Sequence, residues 1–546
     1  MKKKDILDGV VERVDFPNRG ILKIDEKRVV VKNCIPGQKV RFRVLKAGSK
    51  GSATGRLLEV LETSPLESEE KKCGIFPDCG GCLYQKVPYE EQLRIKKEQI
   101  ERLLEPHFDE DTVFEGIKGS PECFGYRNKM EFSFGNAVKD GPLTLGLHRK
   151  GSTYDILTAS DCALVHNDMR LVMNYTLEYC RERGFIHYNK IKHTGFLRFL
   201  LLRRSHATGE LLACLVTTTE NDHDFREWAE GLKKLPIEGS YAGILHAHCD
   251  NFADNVSADE LHILEGQDYF TEELLGLKFK VSLFSFFQTN SAGAEILYST
   301  VRDFVGNDHN KVLYDLYSGT GTIAQLMAER AGHVYGIELV DEAVEAAKVN
   351  AGLNGIDNCT FICGDVLKML GEIPERPDYI ILDPPREGVV PKSLSQIIDY
   401  NVPKMVYISC KASSLAADLV TLKAAGYRVE KWVLVDMFPH TQHVETVVLL
   451  SKGVINSQKV KVDFSLEDMD ITSFRGKATY EQIKEYVLQQ TGMKVSSLYI
   501  SQVKRKCGLE VGDSYNKPKT EEAKQPQCPP EKEAAIMDAL KHFGLI

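Results

Sequence analysis

From about residue 285 to 452, apolar bursts of strand length alternate with stretches of helical character. Six bursts carry the pattern, at 312–316, 334–338, 360–363, 379–383, 405–409 and 446–450. Strands that are apolar nearly throughout need cover on both faces, and the intervening helices supply it. The alternation therefore predicts a doubly wound α/β sheet of the nucleotide-binding type. Ligands of such sheets sit at the carboxyl ends of the strands, so the functional residues are sought there.

The 546 residues leave room for three or four domains at ~150 residues each. Residues 1–62 hold five short strand-like runs, at 10–14, 20–24, 28–31, 39–44 and 54–60, separated by Gly, Pro and Asn. They predict a small β-barrel of the oligonucleotide-binding kind. Residues 63–284 read as a central α+β domain. It opens with an acidic connector and a cysteine-rich loop, then has helices at 89–104 and 169–183 and strands at 127–134, 143–148, 196–203, 211–218 and 242–248. Residues 285–454 form the α/β domain. Residues 455–546 read as a mainly helical extension, with helices at 480–490 and 495–506, a proline-containing linker at 512–532 and a last helix at 533–543.

Composition removes several classes. With 43% hydrophobic and 27% charged residues the chain has enough apolar material for packed cores, which excludes global disorder. A net charge of −9 excludes a bulk polycation, so a nucleic acid would have to be met by local basic patches. Fourteen cysteines are too thin for a disulfide scaffold, and free thiols are expected. No apolar run approaches a membrane span, and the basic start, Met1 to Lys4, meets Asp5 and Asp8 instead of an apolar segment. A cytoplasmic protein without membrane contact is expected.

The first α/β strand runs into Asp315-Leu316-Tyr317-Ser318-Gly319-Thr320-Gly321-Thr322. Gly319 and Gly321 permit a tight turn and close approach to a ligand, and no Gly-Lys-Ser/Thr follows to make a phosphate loop. Glu338 ends the next strand, 17 residues past Gly321, where it can accept from a ribose diol, and Asp365 follows the third strand. A nicotinamide cofactor and S-adenosylmethionine both fit to this point. Asp383-Pro384-Pro385-Arg386, at the end of the fourth strand, separates them. A dehydrogenase has no evident use for this sequence, whereas a transferase holding a flat base beside a methyl donor does.

The fifth strand ends in Ser409-Cys410, before Lys411 and a helix expected from Ser413. A helix N-terminus and a nearby cation could lower the Cys410 pKa, the alternative being a cysteine that is simply a buried small hydrophobe. A further segment, Phe438-Pro439-His440-Thr441-Gln442-His443-Val444-Glu445, brings a carboxylate to the start of the last strand. A cysteine nucleophile with a carboxylate base fits methylation at C5 of a pyrimidine, a carbon unreactive until something adds at C6. The competing readings are an exocyclic-amine methyltransferase, which needs no cysteine, and a non-catalytic RNA-binding or iron–sulfur protein.

Cys73, Cys79 and Cys82 form C-x5-C-x2-C in a glycine-rich loop. These spacings gather three sulfurs, with Cys162 or Cys123 as the fourth. On the residues alone zinc and [4Fe–4S] are both open. His246, His248 and His443 show no metal-ligand spacing along the sequence.

Taken together, Phe286-Phe287-Gln288, the Asp315–Gly321 loop, Asp383-Pro384-Pro385-Arg386, Ser409-Cys410 and the 438–445 segment resemble the RNA uracil-C5 methyltransferases. The likeness is greatest to the branch acting on 23S ribosomal RNA, and it runs to about Lys452. It implies a TRAM domain, a central RNA-contacting domain with a [4Fe–4S] cluster, and a Rossmann-like, S-adenosylmethionine-dependent methyltransferase domain. It implies Cys410 as nucleophile and Glu445 as the base. Gln288, Tyr317, Glu338 and Asp383 are the implied methyl-donor positions and Phe286 the contact to the target base. Cys73, Cys79, Cys82 and Cys162 are the implied cluster ligands. RNA is the implied partner of a monomeric enzyme, 23S ribosomal RNA first and transfer RNA as the alternative. Two positions depart from the family pattern: Lys411-Ala412 replaces Asn-Pro after the nucleophile, and Ser318 replaces Cys before the first glycine.

Two basic segments, 125–129 and 198–204, interleave cations with aromatic or apolar residues, and with the resemblance they are expected to meet RNA. In the extension, Thr479 and Gln482 read as a capping box, and Lys504-Arg505-Lys506 gives the second helix a basic end. The extension reads as a helix-turn-helix-like or a docking domain, expected to add RNA affinity or position the substrate and to carry no chemistry.

Overall fold

The computed structural model describes residues 1–47, 52–253 and 255–453, and in the C-terminal region 483–484, 486–487, 491, 493, 495–507 and 528–542. The chain forms two compact units, Met1–Ile455 and Asn456–Ile546.

In the first unit, residues 6–62 make one six-stranded sheet. The single run expected at 10–14 is divided into Ile6–Val10 and Arg13–Asp15. Ile6–Val10 pairs with Lys39–Ala47, whereas Arg13–Asp15 pairs with Arg19–Ile24. The chain changes partner at the buried Val11, which donates to the Gln38 carbonyl. Alternation of apolar residues does not reveal such a change, because it continues through both strands.

A seven-stranded sheet follows, in the order Ile156–Thr158, Leu143–His148, Lys129–Asn136, Leu197–Arg204, Glu210–Thr217, Ser240–His248, Glu260–Gly266. Helices Asn167–Glu182 and Arg226–Leu232 cover one face through Met173, Leu177, Phe225 and Trp228. The basic run 198–204 is not an RNA-facing surface. Arg198 and Arg203 are buried. Arg198 donates to the carbonyls of Cys249, Asn251 and Ala253, and Arg203 to those of Ser282, Leu283 and Ser285. Arg204 pairs with the buried Asp168. Guanidinium groups inside a sheet stay charged by taking up backbone carbonyls, which a sequence pattern of alternating cations cannot distinguish from a solvated face.

The third sheet has eight strands, in the order Cys359–Cys363, Ala331–Glu338, Asp308–Leu316, Tyr379–Leu382, Lys404–Ser409, Glu445–Lys452, Tyr427–Val435, Val113–Lys118. The first five are parallel, and Glu445–Lys452 runs antiparallel to Lys404–Ser409. This is the α/β sheet expected, with two strands added. Tyr427–Val435 has charged residues at Arg428, Glu430 and Lys431, which hide it in the sequence. Val113–Lys118 comes from upstream of the α/β segment and pairs parallel to Tyr427–Val435. Helix Tyr89–Leu104 packs on the same layer through Ile100 and Leu104. Among the described residues no helix is long and apolar enough to cross a membrane.

In the second unit, helices Ser497–Lys506 and Pro530–His542 bury Ile500, Val503, Ile536 and Leu540 with Ile483 and Val487. The Ser496 hydroxyl caps the first helix by accepting from the Tyr499 amide. Lys506, at the basic end of the first helix, pairs with Glu533 of the second. The last helix starts at Pro530, three residues before the expected start, because a proline suits the first turn of a helix. The proposed capping box at Thr479 and Gln482, and most of the linker at 512–532, lie outside the described residues.

Candidate active site

Ser409 stands opposite Thr446 in the antiparallel pair of Lys404–Ser409 with Glu445–Lys452. Cys410 follows the last residue of the one strand and Glu445 opens the other, and the Glu445 carboxylate acts on the Cys410 thiol. A thiol and a carboxylate 35 residues apart in the chain are thus brought to the same end of one strand pair.

Asp383 follows the strand Tyr379–Leu382, which runs parallel to Lys404–Ser409. The loop after it is locked to the helix that follows Cys410, Ala412–Ala424. The Ser414 hydroxyl donates to the Arg386 carbonyl at 2.8 Å. Asp418 accepts from the Val389 amide at 3.0 Å and from the Tyr407 hydroxyl at 2.6 Å. Gly388 has φ +86°, and a Cβ there would stand 2.9 Å from the Asp418 carboxylate. The segment after Asp383 is therefore tied directly to the helix that follows Cys410.

The electrostatics follow from burial. Desolvation pushes Glu445 up to about 8, with the Asp383 carboxylate adding and Arg386 opposing. Desolvation pushes Asp383 up to about 7. Asp315, fully buried behind them, is raised well above the carboxylate range by burial and then by Asp383. Its one satisfied oxygen accepts from the Ala324 amide at 2.9 Å. Cys410 is pushed up to about 11 by burial, then by Glu445 and Asp383, with Arg386 opposing. A lowering by a helix N-terminus and a cation is overturned, because two carboxylates and desolvation outweigh one guanidinium.

The glycine loop turns back on the neighbouring strand, with the Tyr317 and Ser318 amides both donating to the Ile337 carbonyl. Tyr317, Gly319 and Gly321 all have positive φ, of 69°, 53° and 73°. A Cβ at Gly321 would meet Phe361 at 2.6 Å, so only glycine fits there. Glu338 accepts from the Gly319 amide and the Val340 amide, both at 3.0 Å, which fixes its carboxylate at the mouth of the loop. Gln288 bonds the hydroxyl of the buried Tyr298 with its side chain, and its own carbonyl accepts from Asn128 at 2.8 Å. Phe286 is 70% exposed. It lines an open cavity of about 320 Å³ with Arg127, Lys129, Met130 and Phe287. The buried Arg203, by gathering the carbonyls of residues 282, 283 and 285, holds the segment that presents Phe286.

Cys73, Cys79, Cys82 and Cys162 line one small cavity, together with Phe76, Leu147 and Leu164. Cys123 is elsewhere, beside Asp436 and Lys96. Burial pushes Cys82 up to about 12, and the three other thiols add to the effect. Cys162 is raised to about 11 by burial first.

A family model for tRNA (uracil-5-)-methyltransferase matches residues 376–453, and a general methyltransferase-domain model matches 313–383. An RNA methyltransferase of Clostridium acetobutylicum, itself uncharacterised, is 47% identical over 455 residues, 83% of this chain and 99% of the relative. The chain belongs to the RNA uracil-5-methyltransferase family. A second uncharacterised RNA methyltransferase, from Caldanaerobacter subterraneus subsp. tengcongensis, is 47% identical over 453 residues, 83% of this chain and all of its own. Among solved structures, the Pyrococcus abyssi tRNA (uracil-54, C5)-methyltransferase in complex with S-adenosyl-L-homocysteine matches with a TM-score of 0.64 and 26% identity. That match covers 81% of this chain and all of the other. The protein is an S-adenosylmethionine-dependent RNA uracil-5-methyltransferase.

Sequence reading missed what holds the loop that leads into Glu445. Lys96 and Asp436 form a fully buried ion pair at 2.6 Å. Lys96 also donates to the Phe438 carbonyl at 3.0 Å, and the Tyr89 hydroxyl donates to Asp436 at 3.0 Å. Gln92 accepts from the His440 amide at 2.8 Å and meets its ring at 3.1 Å. Phe124 stacks on His440 at 4.3 Å, and the Tyr126 hydroxyl donates to the Pro439 carbonyl. Helix Tyr89–Leu104 and the 124–126 segment thus clamp the loop leading into Glu445. No spacing in the sequence signals a pairing across 340 residues.

Proposed function

We propose that this enzyme methylates C5 of a specific uridine, in 23S ribosomal RNA, through a covalent bond between Cys410 and C6. The observation that carries the reading is the gathering of Cys410, Glu445 and Asp383 at the ends of adjacent strands, where both carboxylates act on the thiol. Cys410 adds through sulfur to C6 of a uracil turned out of its stack, which makes C5 nucleophilic. Bound S-adenosylmethionine supplies the methyl group that C5 takes. Glu445 then removes the C5 proton, and Cys410 leaves as the C5–C6 double bond re-forms. Phe286, at the rim of its cavity, offers the aromatic face on which the base stacks. Gln288, Tyr317, Glu338 and Asp383 hold the methyl donor, Glu338 at its ribose. A transfer-RNA target is the second reading, favoured by the likeness to the Pyrococcus abyssi enzyme. Mapping 5-methyluridine in total RNA with and without the gene decides: loss at one 23S position supports the first reading, and loss only in transfer RNA replaces it.

The raised carboxyl groups predict a pH dependence of donor binding. Groups raised in the folded state hold extra protons there, so the unliganded protein loses stability as pH rises from about 4 through about 8. A sulfonium cation placed beside Asp383 and Glu445 favours their ionised forms and releases protons on binding. Affinity for S-adenosylmethionine then increases with pH up to about 8, by about tenfold per pH unit for each proton released, and flattens above it. S-adenosylhomocysteine, with a neutral sulfur, shows a much shallower rise. Calorimetric titrations of both ligands at pH 6 and pH 8.5 check this, and parallel pH profiles would remove the cation from the site.

We further propose that residues 1–62 act as a TRAM-type domain and that the four clustered cysteines hold a [4Fe–4S] centre. A single zinc, with Zn–S near 2.3 Å, draws its sulfurs to within about 4 Å of one another. The four thiols share their cavity with Phe76, Leu147 and Leu164, and metal analysis distinguishes the two centres. The centre would tie the cysteine loop to the 159–165 segment. Anaerobically purified protein is expected to carry about four irons per chain. Cys162→Ala loses them and Cys123→Ala keeps them, as measured by iron analysis and visible absorption.

A further inference from the structure

His248 and His262 lie on adjacent antiparallel strands, Ser240–His248 and Glu260–Gly266, near the end of the seven-stranded sheet. The register pairs His246 with His262 and His248 with Glu260. Side chains two apart on a strand share a face, so all four groups project together. Glu260 stands between the two outer histidines. Its carboxylate is 3.7 Å from His248 Nδ1 and 3.5 Å from His262 Nε2. One donor atom from each of His248, Glu260 and His262 lies within 4.8 Å of the other two.

We infer that His248, Glu260 and His262 form a binding site for a divalent transition-metal ion of the zinc class. Two imidazoles and one carboxylate suit such an ion, and Zn–N and Zn–O bonds of 2.0–2.2 Å put neighbouring donors about 3.4 Å apart. The two imidazole–carboxylate separations, each to a different Glu260 oxygen, are within a few tenths of an ångström of that, and the whole group lies within 4.8 Å. His248 Nδ1 is shielded from solvent and has no hydrogen-bond partner, a state that an ion at the centre of the group would resolve. Its neighbour His246 is already committed, with Nε2 on the Thr217 hydroxyl at 2.9 Å, and serves as packing behind the site. Glu260 is 64% and His262 42% exposed, so the ion has an entry path and keeps an open coordination position toward solvent. The ion would staple the end strand to Ser240–His248, just before the Cys249, Asn251 and Ala253 carbonyls that Arg198 holds. The histidine spacing along the sequence is uninformative, because the ligands meet through sheet register.

The test is a Co²⁺ titration of full-length, anaerobically purified, iron-loaded protein, followed by competition with Zn²⁺. One equivalent of Co²⁺ is expected, with visible ligand-field bands and without the charge-transfer band that thiolate ligation gives. His248→Asn, His262→Asn and Glu260→Gln each weaken binding by more than the roughly 10–100-fold that loss of an outer-sphere partner costs. His193→Asn, outside the group, leaves it unchanged. Thermal unfolding in chelator, unchanged among the variants, separates ligand loss from misfolding. Absence of uptake, uptake with a thiolate band, or wild-type affinity in His248→Asn overturns the site.

Discussion

Cys410→Ser retains RNA and S-adenosylmethionine binding but forms no 5-methyluridine, whereas Glu445→Gln methylates once and stalls. Serine is far less acidic and less nucleophilic than the thiol it replaces, so C6 is not attacked and C5 stays inert. Glu445→Gln leaves addition and methyl transfer intact but removes the acceptor for the C5 proton, so the protein remains bonded to the RNA. A band of protein joined to RNA that survives a denaturing gel is the readout, together with a turnover rate lower by about 10²–10⁴-fold. The two variants fail at different steps because the thiol opens the reaction and the carboxylate closes it. Wild-type turnover in Cys410→Ser would sink the covalent mechanism, and an adduct-free, fully active Glu445→Gln would move the base elsewhere.

Lys96→Met destabilises the first unit by about 3–5 kcal/mol, the loss expected when one member of a fully buried pair leaves the other charge uncompensated. Asp436 would then keep only the Tyr89 hydroxyl and the Phe438 amide. The double change Lys96→Met with Asp436→Leu recovers most of the stability, since apolar side chains of similar volume replace the pair without a stranded charge. It does not recover full activity, because Lys96 also holds the Phe438 carbonyl in the loop that delivers Glu445. Urea unfolding and single-turnover methylation of the three proteins check both statements. A Lys96→Met protein as stable as wild type would show that burial at this pair carries no such penalty.

Much of the α/β sheet could be read directly, since strands covered on both faces are apolar end to end and stand out against amphipathic helices. Its last two strands could not. Lys431 pairs with Glu115 and Glu430 with Lys404, and charges that partners neutralise look like loop in a sequence. Val113–Lys118 is separated from the rest of its sheet by the whole central region. The basic run at 198–204 failed for the converse reason: Arg198 and Arg203 are charged yet buried, and only their carbonyl partners explain it.

The sequence alone determined the chemistry on offer: a thiol, a carboxylate and a glycine turn at strand ends, and three closely spaced cysteines with two candidates for the fourth. These are local matters of residue type and spacing. Tertiary structure decided which groups act on which. Strand pairing brought Glu445 to the end where Cys410 lies, and burial raised the Cys410 pKa where a helix N-terminus and a cation could have lowered it. Chain folding chose Cys162 over Cys123 for the cysteine cavity, and it set Lys96 under the loop that carries the base. Desolvation and pairing depend on what surrounds a group from every side, and the linear order of residues carries that information only after the chain has closed on itself.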